Sequence, residues 1–95
     1  MYRIWYWAVI DRESDGRFIA SIPDLEDLAA YGETDKDAVA HVTDLAAAHV
    51  LALVEGGQAA PRARPASEMP SSSRSIGRAM IPVEVGRAAA KPETP

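Results

Sequence analysis

The chain begins with a segment in which almost every side chain is apolar. From Arg3 to Ile10, aromatic and β-branched residues occupy both sets of alternating positions, which is typical of a strand covered on both faces. A second alternating segment, Arg17 to Ile22, follows an Asp15-Gly16 pair that favours a hairpin turn. Together these segments predict two neighbouring antiparallel strands.

Pro23 ends the second strand, because proline lacks the amide donor that a strand interior requires. Leu28 to Tyr31 is long enough only for a short third strand. Thr34 then offers a hydroxyl to cap a helix, and Asp35 and Asp37 place negative charge at its amino end.

The spacing of apolar residues after Thr34 predicts a helix from about Asp35 to Glu55. Gly56 and Gly57 supply the stop that commonly follows a helix. Apolar residues and one histidine recur at steps of three and four and define one stripe: Ala38, Val39, Val42, Leu45, Ala46, His49, Val50 and Leu53. This stripe is the side that we expect to face the core.

The chain changes character after the helix. Residues 58–75 are rich in Pro, Ala, Arg and Ser, which predicts a connection of extended, mobile backbone. Arg78 to Val85 then predicts a fourth strand, and Pro82 within it predicts a sheet edge with that position facing outward. We therefore expect one domain over residues 1–85, with the Pro/Ser-rich connection at 58–75, and a disordered tail over 86–95.

The predicted order is β-β-β-α-β. This order favours an α+β fold in which one helix covers one face of a small antiparallel or mixed sheet. A domain of this size buries roughly 60% of its unfolded surface, so oligomerisation would help its stability.

Charge is distributed unevenly along the chain. Residues 1–58 carry four basic and eleven acidic side chains, a net charge of −7, whereas residues 59–95 carry a net charge of +3. The acidic part is either an ordinary solvated surface or one that repels nucleic acid and attracts a basic protein. The chain has no cysteine, and we identify no signal peptide and no apolar stretch long enough to cross a bilayer. These features favour a cytoplasmic protein without a membrane anchor.

One stretch, residues 16–34, resembles the HicB-like antitoxin family. In that family a strand ending near S-x-P-D-L leads through a Gly-Cys step and a short strand to G-(D/E)-T, which opens the helix. Asp27 and Leu28 stand where the family usually has Gly and Cys. The matching residues are Ser21, Pro23, Asp24, Leu25, Gly32, Glu33 and Thr34.

The resemblance covers about residues 4–85 and implies a partial ribonuclease H fold. It also implies an antitoxin that binds and neutralises a small HicA-like ribonuclease toxin. Family antitoxins often carry a carboxy-terminal DNA-binding segment. Ten residues after Val85 are too few for one, so we do not expect direct DNA binding. The alternative is an oligomeric structural or small-ligand-binding module that shares only the fold.

The sequence predicts no enzyme, no catalytic residue, no metal and no cofactor. Ribonuclease H enzymes gather carboxylates on a central strand to hold two metal ions. Here the centre of the first strand offers Ala8 and Val9, and the carboxylates of Asp24, Asp44 and Glu84 have no reason to converge. His41 and His49 are too far apart to bind the same metal ion. His49 falls in the apolar stripe as a core residue.

The candidate binding residues are two tryptophans and four acids. Trp5 and Trp7 point to the same side of the first strand, where they either pack in the core or form an interface. Base stacking on these rings is disfavoured by the acidic charge of the domain. The set proposed for partner binding is Trp5, Trp7, Asp24, Glu26, Asp27 and Glu33. We also expect a homo-oligomer, either a dimer or a tetramer.

Overall fold

The computed structural model describes residues 2–70 and 74–85. Its elements are the strands β1 (Tyr2–Arg12), β2 (Phe18–Ile22), β3 (Leu28–Gly32) and β4 (Ser75–Val85), the helix α1 (Asp35–Glu55), and 3-10 turns at Pro23–Leu25 and Ala66–Glu68. The four strands form one sheet in the order β3-β2-β1-β4, and every neighbouring pair is antiparallel. The predicted α+β class and element order are confirmed. The predicted tail, residues 86–95, lies outside the described residues.

Helix α1 has the bounds that the sequence predicts. At its start the Thr34 hydroxyl accepts a hydrogen bond from the amide of Asp37 at 3.0 Å. At its end Gly57 adopts a φ of 89°, a conformation that a glycine enters without steric cost. The amides of Gly57 and Gln58 then donate to the carbonyls of Val54 and Leu53 at 3.0 and 2.9 Å. These bonds satisfy carbonyls that would otherwise have no partner.

The core lies between α1 and one face of the sheet. The helix contributes a row of buried residues spaced by four, namely Ala38, Val42, Ala46 and Val50. They pack in one cluster with residues of β1, β2 and β4, including Tyr6, Ala8, Ala20, Ile22, Ile81 and Val83. Leu45, which the sequence assigns to the same stripe, is 44% exposed. The buried side of α1 is therefore narrower than the predicted stripe. The residues that α1 buries recur at steps of four and lie along one edge of that stripe.

By length and composition alone, α1 is apolar enough to cross a membrane. Core helices of globular proteins meet the same criterion. In this protein the row from Ala38 to Val50 packs against a sheet. Core packing therefore accounts for this row, whereas Leu45 and Leu51 are exposed.

Strand β4 forms one edge of the sheet, as Pro82 predicts. It begins at Ser75, three residues before the predicted start, where the Ser75 hydroxyl donates to Asp11 Oδ1 at 2.9 Å. Pro82 lies opposite Trp5 without a shift in register, so its missing amide belongs to the outer side of the strand. A shift in register does occur beside Ile10 and Asp11, and it leaves Ile76 as an extra residue in a bulge.

Gly32 marks the closest approach between the sheet and the helix. A β-carbon at this position would lie 2.3 Å from the amide nitrogen of Ala38 and 2.8 Å from the carbonyl carbon of Asp37. Both contacts are with backbone, which cannot rotate away. The end of β3 can therefore meet the first turn of α1 only if residue 32 has no side chain.

We expect Gly32→Ala to destabilise the domain by about 1–3 kcal/mol, because the added methyl group must push the helix away from the sheet. A loss of about 1 kcal/mol corresponds to roughly 4–8 °C in melting temperature for a domain of this size. Gly77→Ala is the matched control, since a β-carbon there meets nothing within 4 Å. Thermal unfolding followed by circular dichroism measures both. Equal melting temperatures for the two variants would contradict the close approach.

Candidate functional site

The helix covers one face of the sheet and leaves part of the other face exposed. On that open face the cross-strand pairs Trp5–Pro82 and Trp7–Met80 join β1 to β4. Trp5 and Met80 are 46% and 47% exposed, and Trp7 is half-buried. We call these four residues the tryptophan patch. Large aromatic and thioether side chains at the surface are typical of protein interfaces.

A charged pair borders the tryptophan patch. The Nε atom of Arg3 donates to Glu84 Oε2 at 2.7 Å, and the Arg3 guanidinium lies 5.9 Å from the centre of the Trp5 ring. Both charged side chains are about half exposed. An exposed ion pair of this kind contributes little to stability.

Two acidic residues lie at the same end of the sheet as the tryptophan patch. Pairing of β1 with β2 stops where Val9 faces Ser21, so the turn Pro23–Leu25 continues beside the first half of β1. Leu25 is fully buried and anchors this turn. Glu26 and Asp27 follow it, both exposed. By register, Glu26 and Asp27 therefore lie toward the end of the sheet that carries Trp5 and Trp7, with β1 and β3 on either side of β2.

The backbone of this acidic turn is unusual. Glu26 and Asp27 adopt φ values of 60° and 59°, in the left-handed region that non-glycine residues enter at a cost. Asp27 is the position where the resembling family usually has glycine. The turn thus keeps its two carboxylates in a conformation that glycine would adopt more easily.

Glu33 lies away from the other predicted binding residues. The five residues of β3 separate it from Asp27, a length of about 17 Å at roughly 3.3 Å per residue. Glu33 instead precedes the cap of α1, next to Thr34. The predicted acidic set is therefore divided between the two ends of β3.

Asp24 is buried rather than presented to solvent. Its side chain is only 3% exposed. The amide of Arg64 donates to Asp24 Oδ2 at 2.7 Å, and Arg64 Nε donates to Oδ1. The carboxylate raises the pKa of Arg64 through this bond and its charge. Asp24 is thus occupied by a residue of the same chain, which sequence reasoning had no signal to find.

The segment that carries Arg64 is packed on the domain. We call residues 58–70 the belt. The Tyr6 hydroxyl donates to the carbonyl of Pro61 at 2.6 Å, Ala60 and Ala63 pack against the core, and Met69 is buried. Composition predicts a mobile connection here. The belt is instead held at several points, because a buried tyrosine and a buried carboxylate both require hydrogen-bond partners.

The belt also reaches the open face of the sheet. Pro70 lines a shallow pocket there with residues of β1, β2, β4 and the acidic turn, namely Val9, Asp11, Ser21, Pro23, Asp27 and Ser75. Val9 is buried although it points away from the helix. The belt therefore lines part of the open face at Val9, two residues after Trp7 on β1.

The described residues form no arrangement with obvious catalytic chemistry. No group of three or more His, Cys, Asp or Glu side chains in residues 2–70 and 74–85 could hold a metal ion. His41 is exposed, and its Nδ1 lies 2.7 Å from the carbonyl of Tyr31. His49 has a buried Nε2 without a hydrogen-bond partner in this part of the chain, so it differs from the satisfied core histidine that we expected.

Two solved structures of Burkholderia pseudomallei proteins are similar to this chain. One is the crystal structure of the N-terminal domain of the antitoxin HicB, with a TM-score of 0.73 and 17% sequence identity over 86% of this chain and 100% of that chain. The other is the crystal structure of the antitoxin HicB, with a TM-score of 0.69 and 20% identity over 95% of this chain and 70% of that chain. No family model and no curated protein matches the sequence.

The chain has a HicB-like fold. The resemblance seen in the sequence is confirmed at the level of the fold. In the HicB-like fold of this chain, the S-x-P-D-L residues form the end of β2 and the turn that carries Asp24. The G-E-T residues form the close approach at Gly32 and the cap of α1.

The burial of the Tyr6 phenol predicts a distinctive loss of stability in alkali. Burial, followed by the charge of Asp24 and then by Tyr2, raises the pKa of Tyr6 to about 12. The folded state thus favours the protonated phenol, which contributes stability below pH 10, the ordinary tyrosine value. That contribution is lost between about pH 10 and 12.

We expect Tyr6→Phe to be less stable than the wild type at pH 8, because Pro61 loses its donor. We also expect the variant to lose less stability than the wild type between pH 10 and 12. Urea unfolding at each pH measures the difference. Tyr31→Phe is the control, since Tyr31 is exposed on β3. Parallel pH profiles for the wild type and Tyr6→Phe would show that the phenol does not anchor the belt.

Proposed function

We propose that this protein is an antitoxin-like binding protein that binds and neutralises a small, basic, HicA-like ribonuclease toxin. The observation that carries the proposal is the position of the tryptophan patch beside the acidic turn, on a HicB-like fold. The similar Burkholderia protein is itself described as an antitoxin. In this proposal the chain acts in the cytoplasm and has no catalytic activity of its own.

The two parts of the surface have different roles in binding. The tryptophan patch supplies apolar area, since Trp5 and Met80 are each nearly half exposed and aromatic anchors provide most of the affinity at interfaces. Glu26 and Asp27 supply negative charge at the rim, which accelerates encounter with a basic partner. Glu33, at the other end of β3, contributes to the overall field and not to the contact itself.

The open face also favours self-association. Met80 in the tryptophan patch and Ile76, four residues before it on β4, are exposed large apolar residues. The outer edge of β4 is a poorer surface for pairing, because Pro82 lacks a donor and the bulge at Ile76 interrupts the strand. We therefore propose that copies associate through the face of the sheet, as a dimer or tetramer, and that the toxin competes for the same patch.

The toxin-binding proposal predicts that reversing two charges slows association. In co-expression, the wild type should restore growth to cells that carry a HicA-like toxin encoded beside it. In surface plasmon resonance, Glu26→Lys combined with Asp27→Lys should lower the association rate constant by about tenfold, with a smaller change in dissociation. The difference should shrink as salt rises.

The matched control is Glu33→Lys combined with Asp44→Lys. It changes the net charge by the same amount at exposed positions away from the acidic turn. The control should bind nearly as fast as the wild type. Failure of the wild type to bind or neutralise any neighbouring toxin would remove the antitoxin assignment. Equal rates for both double variants would remove the acidic turn from the interface.

The self-association proposal predicts more than one species in sedimentation velocity at 10–100 µM, a range in which weak interfaces become populated. Trp5→Ser should shift the distribution towards the monomer, because it removes the largest exposed side chain of the patch. Leu51→Ser, which removes an exposed apolar residue of α1 on the opposite face of the domain, should not. A wild type that stays monomeric throughout would contradict the proposal.

A further inference from the structure

The Asp24 carboxylate is buried but is not satisfied by its own neighbourhood. It follows Pro23 in the turn after β2, and its side chain is 3% exposed. A carboxylate taken out of water needs hydrogen-bond donors or a counter-charge to remain ionised. In the described part of the chain, both donors come from one residue, Arg64, which lies 40 positions later.

The two hydrogen bonds form a fork that recognises an arginine in an extended segment. One carboxylate oxygen accepts from the backbone amide of Arg64, and the other accepts from Nε of the same residue. A lysine at this position could keep the charge but could not offer a planar guanidinium with several donors. The fork combines one guanidinium donor with one main-chain amide that any residue except proline could supply, so the preference for arginine rests on the Nε contact.

The guanidinium lies at the surface although the carboxylate does not. The Arg64 side chain is 43% exposed. It therefore covers Asp24 from the solvent side, and it can leave without opening the cluster that contains Tyr6, Ala20 and Leu25. Arg64 also belongs to the belt, which is anchored independently through Tyr6 and Met69. Loss of the Arg64 side chain from the site would thus leave most of the belt in place.

A second pair on the same molecule shows what is particular to Asp24. Asp15 accepts from the amide of Arg17 at 3.0 Å and from its Nε at 2.8 Å, which is the same fork. Asp15 is exposed, and its partner lies two residues away in the hairpin turn. That pair stabilises a local turn. The fork at Asp24 instead fills a buried acceptor with a residue from a distant segment.

We propose that Asp24 is an arginine-binding site, which Arg64 fills in the free protein and which an arginine of the bound partner takes over in the complex. The identity of the incoming arginine rests on the proposed function, because a basic partner supplies such residues. The site lies two residues before Glu26, so an arginine guided by the acidic turn reaches it directly. Exchange replaces one charge-assisted pair by another, so it costs little and adds specificity.

The test of the site uses the isolated protein and small probes. Arg64→Ala removes the guanidinium donor to Oδ1 and keeps the amide donor to Oδ2, and its melting temperature should fall below that of the wild type. N-acetyl-argininamide at millimolar concentrations should then raise that melting temperature, recovering at least half of the loss in a saturable manner. The neutral citrulline analogue should recover none, and the lysine analogue at equal ionic strength should recover much less.

Three controls make the result decisive. The wild type should not respond to the probe, because Arg64 already occupies Asp24. Arg17→Ala should not respond either, because its fork is local and exposed. Arg64→Lys retains a charge and folds if Arg64→Ala does not, and it should respond to the arginine probe. No saturable response in either Arg64 variant, or an equal response to the citrulline analogue, would overturn the site.

A final measurement separates this inference from the antitoxin proposal. With a cognate toxin, Arg64→Ala should bind at least as tightly as the wild type, whereas Asp24→Asn should bind more weakly. A saturable probe response with no toxin that binds would leave the arginine site and remove the proposed function. If Arg64→Ala weakens toxin binding as much as Asp24→Asn does, Arg64 has a structural role. That result would overturn the exchange.

Discussion

The structure depends on the packing of a single helix against one face of a four-stranded sheet. The row from Ala38 to Val50 meets β1, β2 and β4, and Gly32 allows the first turn of the helix to lie against the end of β3. Residues 2–70 and 74–85 contain one α-helix, so in this part of the chain the second face has no layer of its own. The tryptophan patch is the direct result, since β1 carries large residues on both sides and only one side is covered.

The edge of β4 and the open face of the sheet differ in how they can associate with another chain. The edge of β4 carries features that discourage pairing with another strand, namely Pro82, a charged Arg78 and a bulge at Ile76. The face beside it carries none, and there Trp5 and Met80 remain accessible. Binding through side chains on a face can be selective, whereas pairing through a backbone edge accepts almost any strand. The contrast is consistent with a surface kept for specific partners.

The sequence predicts those parts of the fold in which a local signal has one structural meaning. Thr34 and the Gly56-Gly57 pair define the ends of α1, and Pro82 defines an edge strand, because capping and the loss of an amide act within a few residues. The periodicity of α1 places Val42 correctly but includes Leu45. A stripe three residues wide can contact the sheet along its centre or along one side, and only the packed structure decides which.

The sequence predicts individual residues of the candidate site but not which of them lie near each other. Glu26 and Asp27 lie toward the tryptophan end of the sheet because the turn after β2 continues past the paired part of β1, and this depends on where the pairing of two strands stops. Asp24 was recognisable as part of the S-x-P-D-L motif, but its hydrogen bonds with Arg64 join residues 40 positions apart. The Ala-Pro-Arg composition of the belt indicates extended backbone and carries no signal of what that backbone contacts.

The belt also shortens the loop that must close when β4 pairs with β1. Nineteen residues separate α1 from β4, and a free loop of that length loses entropy when its ends are brought together. With Pro61 held by Tyr6 and Arg64 by Asp24, only the ten residues from 65 to 74 remain to be closed. Halving a loop saves about 0.6 kcal/mol. About half of the connection is therefore already held in place when β4 pairs with β1, although the paired residues lie more than 60 positions apart in the chain.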